Sequence, residues 1–274
     1  MSRRALKTLA VNLALAALAT LTLIPLAWMV SASLMAPGEA SSFPPPLLPK
    51  DASLANYRAL FETAGIGRQL LNSLWVSLGA TALSLAFNLT AGYAFAKLRF
   101  TGRDAVFRSL LGALVIPAQV TMMPLFLMLK QMGLVNTVAG ALVPWLASVF
   151  GIFLVRQYAL GLPNELLEAA RMDGAGEFTI FRRVVLPLLK PVIAALAVLT
   201  FLGAWNDFMW PLIVLTDRDL QTLPVALAGL SREHVQDTEL MMAGAVVTVL
   251  PVLVLFLVLQ RQYLQGLLMG SVKG

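Results

Sequence analysis

Six long apolar stretches constrain this chain more than anything else in it: roughly residues 9–30, 71–96, 106–129, 138–158, 191–215 and 241–260. Each is long enough to cross a hydrocarbon core of about 30 Å at about 1.5 Å per helical residue, and none holds more than one charged side chain. The runs are continuous and do not alternate with polar positions, so they read as helices rather than barrel strands. A soluble domain is about half apolar and about a quarter charged. This chain is 59% hydrophobic and 12% charged, with mean hydropathy +0.81. Six spans of about 20 residues would occupy about 120 of its 274 residues, leaving room for loops but not for a separate soluble catalytic domain. Residues 1–274 therefore read as one all-α transmembrane domain with six transmembrane helices.

The first run follows a basic start (Arg3, Arg4, Lys7), and Val30-Ser31-Ala32 resembles a leader cleavage site. Its apolar part exceeds the about 7–15 residues of a leader's core, so it reads as a true first span. Orientation follows from the basic residues. With the N-terminus inside, Arg3, Arg4, Lys7, Lys97, Arg99, Arg103, Arg108, Arg156, Arg171, Arg182, Arg183, Lys190, Arg261 and Lys273 are cytoplasmic. Only Lys50, Arg58, Arg68, Lys130, Arg218 and Arg232 then lie outside. Fourteen against six places both termini in the cytoplasm by the positive-inside rule. The same distribution explains the net charge of +6 as membrane topology and not as a nucleic-acid surface.

Several chemistries lack the residues they need. There is no cysteine, and His234 is the only histidine, so thiolate or His-based metal sites and a Ser-His-Asp triad have little to be built from. No G-x-x-x-x-G-K-[ST] occurs to hold nucleotide phosphates. The expectation is a non-enzymatic chain with no cofactor of its own. Outside, residues 31–69 carry the irregular Phe43-Pro44-Pro45-Pro46 and Pro49, then Leu54–Phe61 as a short surface helix. Residues 216–240 hold Asp217, Asp219, Glu233, Asp237 and Glu239, read as a solvated loop in preference to an ion or ligand site.

The most structured loop is cytoplasmic, about 159–190. Pro163 and Asn164 are helix-start residues, and Glu165 in the first turn suits the helix dipole. Leu166, Leu167 and Ala170 share one face, with Glu168 and Arg171 towards another. Gly174, after Asp173, stands where a left-handed residue ends a helix. A second amphipathic piece, Glu177 to Leu186, sets Phe178, Phe181 and Val185 against Arg182, and Pro187 and Pro191 bracket the next span.

Here Glu168-Ala169-Ala170, three residues, Gly174, nine residues, Val184, one residue, then Leu186-Pro187 resembles the "EAA" loop of ABC importer permeases, with valine at 184 where isoleucine is usual. The likeness continues to the maltose-type, G-type sugar permeases through Phe43-Pro44-Pro45, Asn56-Tyr57, Asn72-Ser73-Leu74, Tyr93-Ala94-Phe95-Ala96, Ile116-Pro117, Pro124-Leu125-Phe126, Trp205-Asn206-Asp207-Phe208, Pro211-Leu212 and the tail Gly266 to Gly274. The resemblance implies a type I ABC importer permease fold in a bacterial inner membrane. It implies that Glu168, Ala169, Ala170, Arg171, Asp173 and Gly174 form a coupling helix seated on a cytoplasmic ATPase, with Leu186 and Pro187 completing the loop. The implied partners are a second, F-type permease in a heterodimer, two ATPase subunits that bind the ATP and magnesium, and a periplasmic or lipid-tethered sugar-binding protein. The implied cargo is a di- or oligosaccharide; glycerol-phosphate or another polar solute is the alternative, since such importers share this permease type.

Within the spans, Asp207 is the most anomalous residue, because a carboxylate near the bilayer centre costs about 2.5–3.5 kcal/mol. With Trp205 and Asn206 it could face a sugar, or it could hold neighbouring helices together. Gln119 and Asn88 are weaker candidates of the same kind. The methionines Met122, Met123, Met128, Met209, Met241 and Met242 read as packing. Pro117, Pro124 and Pro144 should mark kinks. An ion-coupled secondary transporter would show paired intramembrane acids and two similar halves, and neither is evident here.

Overall fold

A computed structural model describes residues 3–233 and 237–271 of the chain. His234 and the last three residues of the tail, Val272-Lys273-Gly274, lie outside the described residues. The described residues are helical, without strands, and fall into two compact units. One comprises residues 3–67 with 226–251, the other 68–225 with 252–271.

In the first unit, α1 (Arg3–Ala32) is unbroken despite Pro25. The chain then runs irregularly to α2 (Ala55–Arg58), which a π turn extends through Thr63. This is not merely a surface helix, because Asn56 and Leu60 are buried. The Asn56 amide donates to the carbonyls of Ser33 (2.9 Å) and Met35 (2.8 Å), and the Ser33 and Tyr57 hydroxyls share a 2.8 Å hydrogen bond. The rest of this unit comes from α13 (Leu223–Glu233) and from the part of α14 (Thr238–Ser271) up to Pro251. At the start of α14 the expectation of a solvated acidic loop fails for Glu239. Its side chain is fully buried, one carboxylate oxygen accepting from the Ala40 N–H at 2.6 Å. Asp237 instead serves as a cap, accepting from the Leu240 N–H.

The second unit is built on α3 (Gly67–Lys97). Its buried face carries Ser73, Ser77, Ala80, Ser84, Asn88 and Gly92, while Leu71, Trp75, Leu78 and Phe87 face outward. Small and weakly polar side chains inside with large apolar ones outside is the pattern expected where lipid is the solvent. Against it lies α7 (Val149–Leu160), approached so closely that a Cβ on Gly92 would come within 2.6 Å of Val155 Cβ. Between these segments come α4 (Arg103–Ala113), α5 (Ala118–Gln131) and α6 (Val138–Leu142), α6 running into a 3-10 turn at Val143–Trp145. The 106–129 run is not one straight helix: α4 and α5 meet at 105°. Pro117, extended at ψ 135°, makes the break, since a proline disfavours helix in the residue before it. Pro124 instead sits inside an unbroken α5, and Pro144 lies in the 3-10 turn of a 45° bend.

After the cytoplasmic loop come α8 (Asn164–Met172), α9 (Glu177–Ile180), a π turn (Phe181–Val185), α10 (Leu186–Leu188), α11 (Lys190–Trp205) and α12 (Met209–Val214). Prolines 187 and 191 each lack an N–H for a helical rung, and the axis bends 80° between 188 and 190. Three helical segments, Lys7–Ala32, Gly67–Lys97 and Thr238–Val258, are each long and apolar enough to cross a membrane. Three bent pairs (α4 with α5, the 138–145 stretch with α7, and 177–188 with α11) raise the number to as many as six if each pair is one span.

The α3–α7 crossing gives a direct test. Gly92→Ala should destabilise the protein by about 1–3 kcal/mol through overpacking and lower its apparent Tm in detergent. Gly112→Ala, where a Cβ meets nothing within 4 Å, should leave Tm unchanged or raise it.

Candidate functional site

The loop between α7 and α11 is held from beneath. Leu167 of α8 is buried in a cluster with Leu89 and Tyr93 of α3, Val155 and Ala159 of α7, and Ile180, Val185 and Leu189. Ala170, Phe181, Val184 and Leu186 pack against the same cluster. The amphipathic faces therefore differ from the expected ones at three residues. Leu166 and Phe178 point outward, while Ile180, omitted from the expected face, is fully buried.

The C-terminus of α8 closes as the glycine requires. Gly174 takes φ +79°, its N–H donates to Arg171 O, and the Ala175 N–H donates to Ala170 O, both at 3.0 Å. This 6→1 and 5→2 pair is a Schellman motif, here accompanied by the partly buried Ala170 and Ala175. At the N-terminus Asn164 makes no cap. Its side-chain oxygen accepts from the Lys97 ammonium at 2.8 Å, and Lys97 also donates to Leu162 O at 2.6 Å. Beyond the turn, Glu177 accepts from Arg171 Nε (2.7 Å) with one oxygen and from the Tyr93 hydroxyl (3.0 Å) with the other. Lys97, Tyr93 and Glu177 were not among the candidate site residues, and only their positions in space reveal what they do.

What remains exposed on α8 and its turn is Glu165, Leu166, Glu168, Ala169, Arg171, Met172, Asp173 and Gly174, with Phe178 beside them. Met172 is 89% and Phe178 74% exposed. A small alanine flanked by acids and bare apolar side chains is a surface suited to another protein. Of the loop's remaining named residues, Leu186 packs inward and Pro187 is exposed.

The membrane candidates separate. Asn88 is fully buried, donating to Ser84 Oγ (2.7 Å) and accepting from the Ser148 N–H (3.0 Å). Trp205 is buried and stacked on Phe201. Asn206 is exposed but donates to Leu202 O of its own helix, and Gln119 is exposed on α5. Asp207 is not mid-helix: α11 ends at Trp205, and Asp207 accepts from the Trp210 N–H at the start of α12. It lines a cavity of about 350 Å³ with Thr121, Met122, Trp145 and Trp210. Gly203 admits the Trp145 ring, which a Cβ would meet at 2.9 Å. The aromatic companions of Asp207 are thus Trp145 and Trp210, not Trp205.

The Arg171 guanidinium, then the Tyr93 hydroxyl, hold the Glu177 carboxyl below its ordinary 4.5. A carboxyl depressed in the folded chain gives stability that is present above its unfolded value and lost as pH falls through the lowered folded value. Amide hydrogen exchange across residues 164–180 should therefore be pH-independent in protection near neutrality and lose protection in acid. Glu177→Gln should show the weaker protection already at neutral pH.

Comparison with known proteins accords with this geometry. Residues 88–267 match the family described as binding-protein-dependent transport system inner membrane component. The chain is 40% identical over 255 residues to the arabinooligosaccharides transport system permease protein AraQ of Halalkalibacterium halodurans, covering 93% of this chain and 90% of that one. It is 35% identical to the melibiose/raffinose/stachyose import permease protein MelC of Bacillus subtilis, covering 92% and 91%. A crystal structure of a bacterial ABC transporter involved in importing the acidic polysaccharide alginate superposes with TM-score 0.81 at 25% identity, covering 96% of this chain and 99% of that chain. This chain belongs to the family of inner membrane components of binding-protein-dependent transport systems.

Proposed function

We propose that this chain crosses the membrane six times with both ends in the cytoplasm. In that arrangement it forms half of the pathway of an ATP-driven importer for a di- or oligosaccharide. The other half is a second permease subunit, and a binding protein delivers the sugar from outside. ATP and magnesium are held by two cytoplasmic ATPase subunits, and this chain transmits motion without bond chemistry of its own.

The observation that carries this reading is α8. A helix whose inner face is buried and whose ends are fastened by Lys97 and a Schellman turn presents Glu168, Ala169, Met172 and Asp173 outward. Such a helix moves as a body with what it is fastened to. Closure of the ATPase subunits would then be passed through Glu168, Ala169, Ala170, Arg171, Asp173 and Gly174 into the spans, with Leu186 and Pro187 joining the loop to α11. The sugar assignment draws on the relatives' cargo and on the cavity of Asp207, Trp145 and Trp210, where a carboxylate among aromatic walls suits a hydroxylated ring.

Glu168→Arg reverses an exposed charge and should leave the fold intact while weakening ATPase association at least about tenfold, the scale of one reversed interface charge. Co-purification and ATP-coupled uptake in proteoliposomes measure this. Uptake that continues without any ATPase and collapses with an ion gradient would overturn the proposal. A thermal-shift screen of the cognate binding protein tests the cargo, and stabilisation by glycerol phosphate but by no sugar would refute that part.

A further inference from the structure

The stretch Phe43–Leu48 has no place in the coupling described above. Phe43 is 99% exposed, and Leu47 and Leu48 are each 75% exposed, on a loop with no charged residue between 43 and 48. We infer that these side chains lie in the headgroup–acyl boundary of the outer leaflet and anchor the external loop to the bilayer surface. The inference rests on the topology proposed above, which puts residues 33–66 outside.

Depth is the first argument. The backbone of this stretch does not stand above the end of α1 but runs down beside it. Trp28 Nε1 donates to Pro46 O at 3.1 Å, and Ser31 Oγ donates to Leu47 O at 2.6 Å. Residues 28 and 31 belong to the last turns of the apolar segment Lys7–Ala32, whose 26 residues extend about 39 Å. Against a hydrocarbon core of about 30 Å, the excess at each end is about one helical turn. Pro46 and Leu47 are therefore held at the level where the core gives way to headgroups.

Backbone chemistry is the second argument. Peptide groups placed near hydrocarbon need partners. Pro44, Pro45 and Pro46 have no N–H to satisfy, and two of the stretch's carbonyls are already bonded to Trp28 and Ser31. The loop is also fixed at its base, so the stretch cannot swing away. Glu39 accepts from the N–H groups of Ala36 and Lys50, Ala40 is bonded to Glu239, and the Ser53 N–H donates to Leu34 O. Lys50 and Asp51 then mark the return to water.

This chain has no cysteine, so a single introduced cysteine can be spin-labelled on the purified chain before it is assembled with its partners. Phe43→Cys, Leu47→Cys, Leu48→Cys and Asp51→Cys would each be labelled in this way and read in the assembled importer in phosphatidylethanolamine–phosphatidylglycerol vesicles. Power saturation compares collision with oxygen, enriched in lipid, and with a nickel chelate, confined to water. Positions 43, 47 and 48 should favour oxygen, and position 51 should favour nickel. Nickel-favouring readings at all four positions would overturn the anchor. So would labels at 43, 47 and 48 shielded from both reagents, which would mean a protein partner covers them. Labelling of Asp51→Cys by a membrane-impermeant maleimide reports the side of the membrane separately. Reaction only from the cytoplasmic face would refute the topology, whereas the depth readings test the anchor whichever side it occupies.

Discussion

In lipid the chain has nothing but itself to bond its backbone to, and that one constraint orders this structure. Helix is the default, and every departure from it must be justified by a local partner. Several departures, at or beyond the ends of the long helices, are bonded in this way. Asn136, at φ 59°, accepts from the N–H groups of Thr216 and Asp217 through its side chain and donates its own N–H to Val214 O. The Leu223 N–H finds Ser73, and Ser148 finds Asn88. The loop before α8 finds Lys97, and the turn after it closes on its own carbonyls.

Much of this was legible in the sequence. Five of the six apolar runs lie along the long helices and bent pairs, because twenty apolar residues in succession have few other uses. The run 191–215 instead divides into α11 and α12, and the bent pair there begins at Glu177. Gly174 was legible because only glycine takes a left-handed turn cheaply after a helix that starts at a proline. What could not be read was which side of each helix faces inward. A helix in lipid is apolar on every side, so periodicity loses its meaning there. That is why Asn88, which looks like a polar residue awaiting a ligand, proves to be an interior hydrogen-bonding group. It is also why Trp205, adjacent to Asp207 in sequence, turns away while Trp145, sixty residues earlier, comes to line the same cavity.

The candidate docking face shows the same division. Its motif residues are ordinary for an exposed amphipathic helix, and it is their resemblance to the loop of importer permeases that singles them out. The residues beneath them (Tyr93, Lys97 and Glu177) come from α3 and from the turn after α8, and nothing local in the sequence marks them as joined. Glu239 is a similar case on the first unit. An acidic residue in an acidic loop reads as solvated, yet the fold encloses it to hold Ala40.

The fastening of α8 has a mechanical consequence. A tether transmits tension only after its slack is taken up, whereas a strut transmits compression at once. The link from Leu160 to Glu177 contains Pro163, a helix, a closed turn and four side-chain bonds to α3 or across the turn, with no run of unrestrained residues to take up displacement. A small displacement delivered at Glu168 would pass to α3 through these bonds and the packing of Leu167 together, so the stiffness of the link depends on how α8 is fastened and not on the length of the loop.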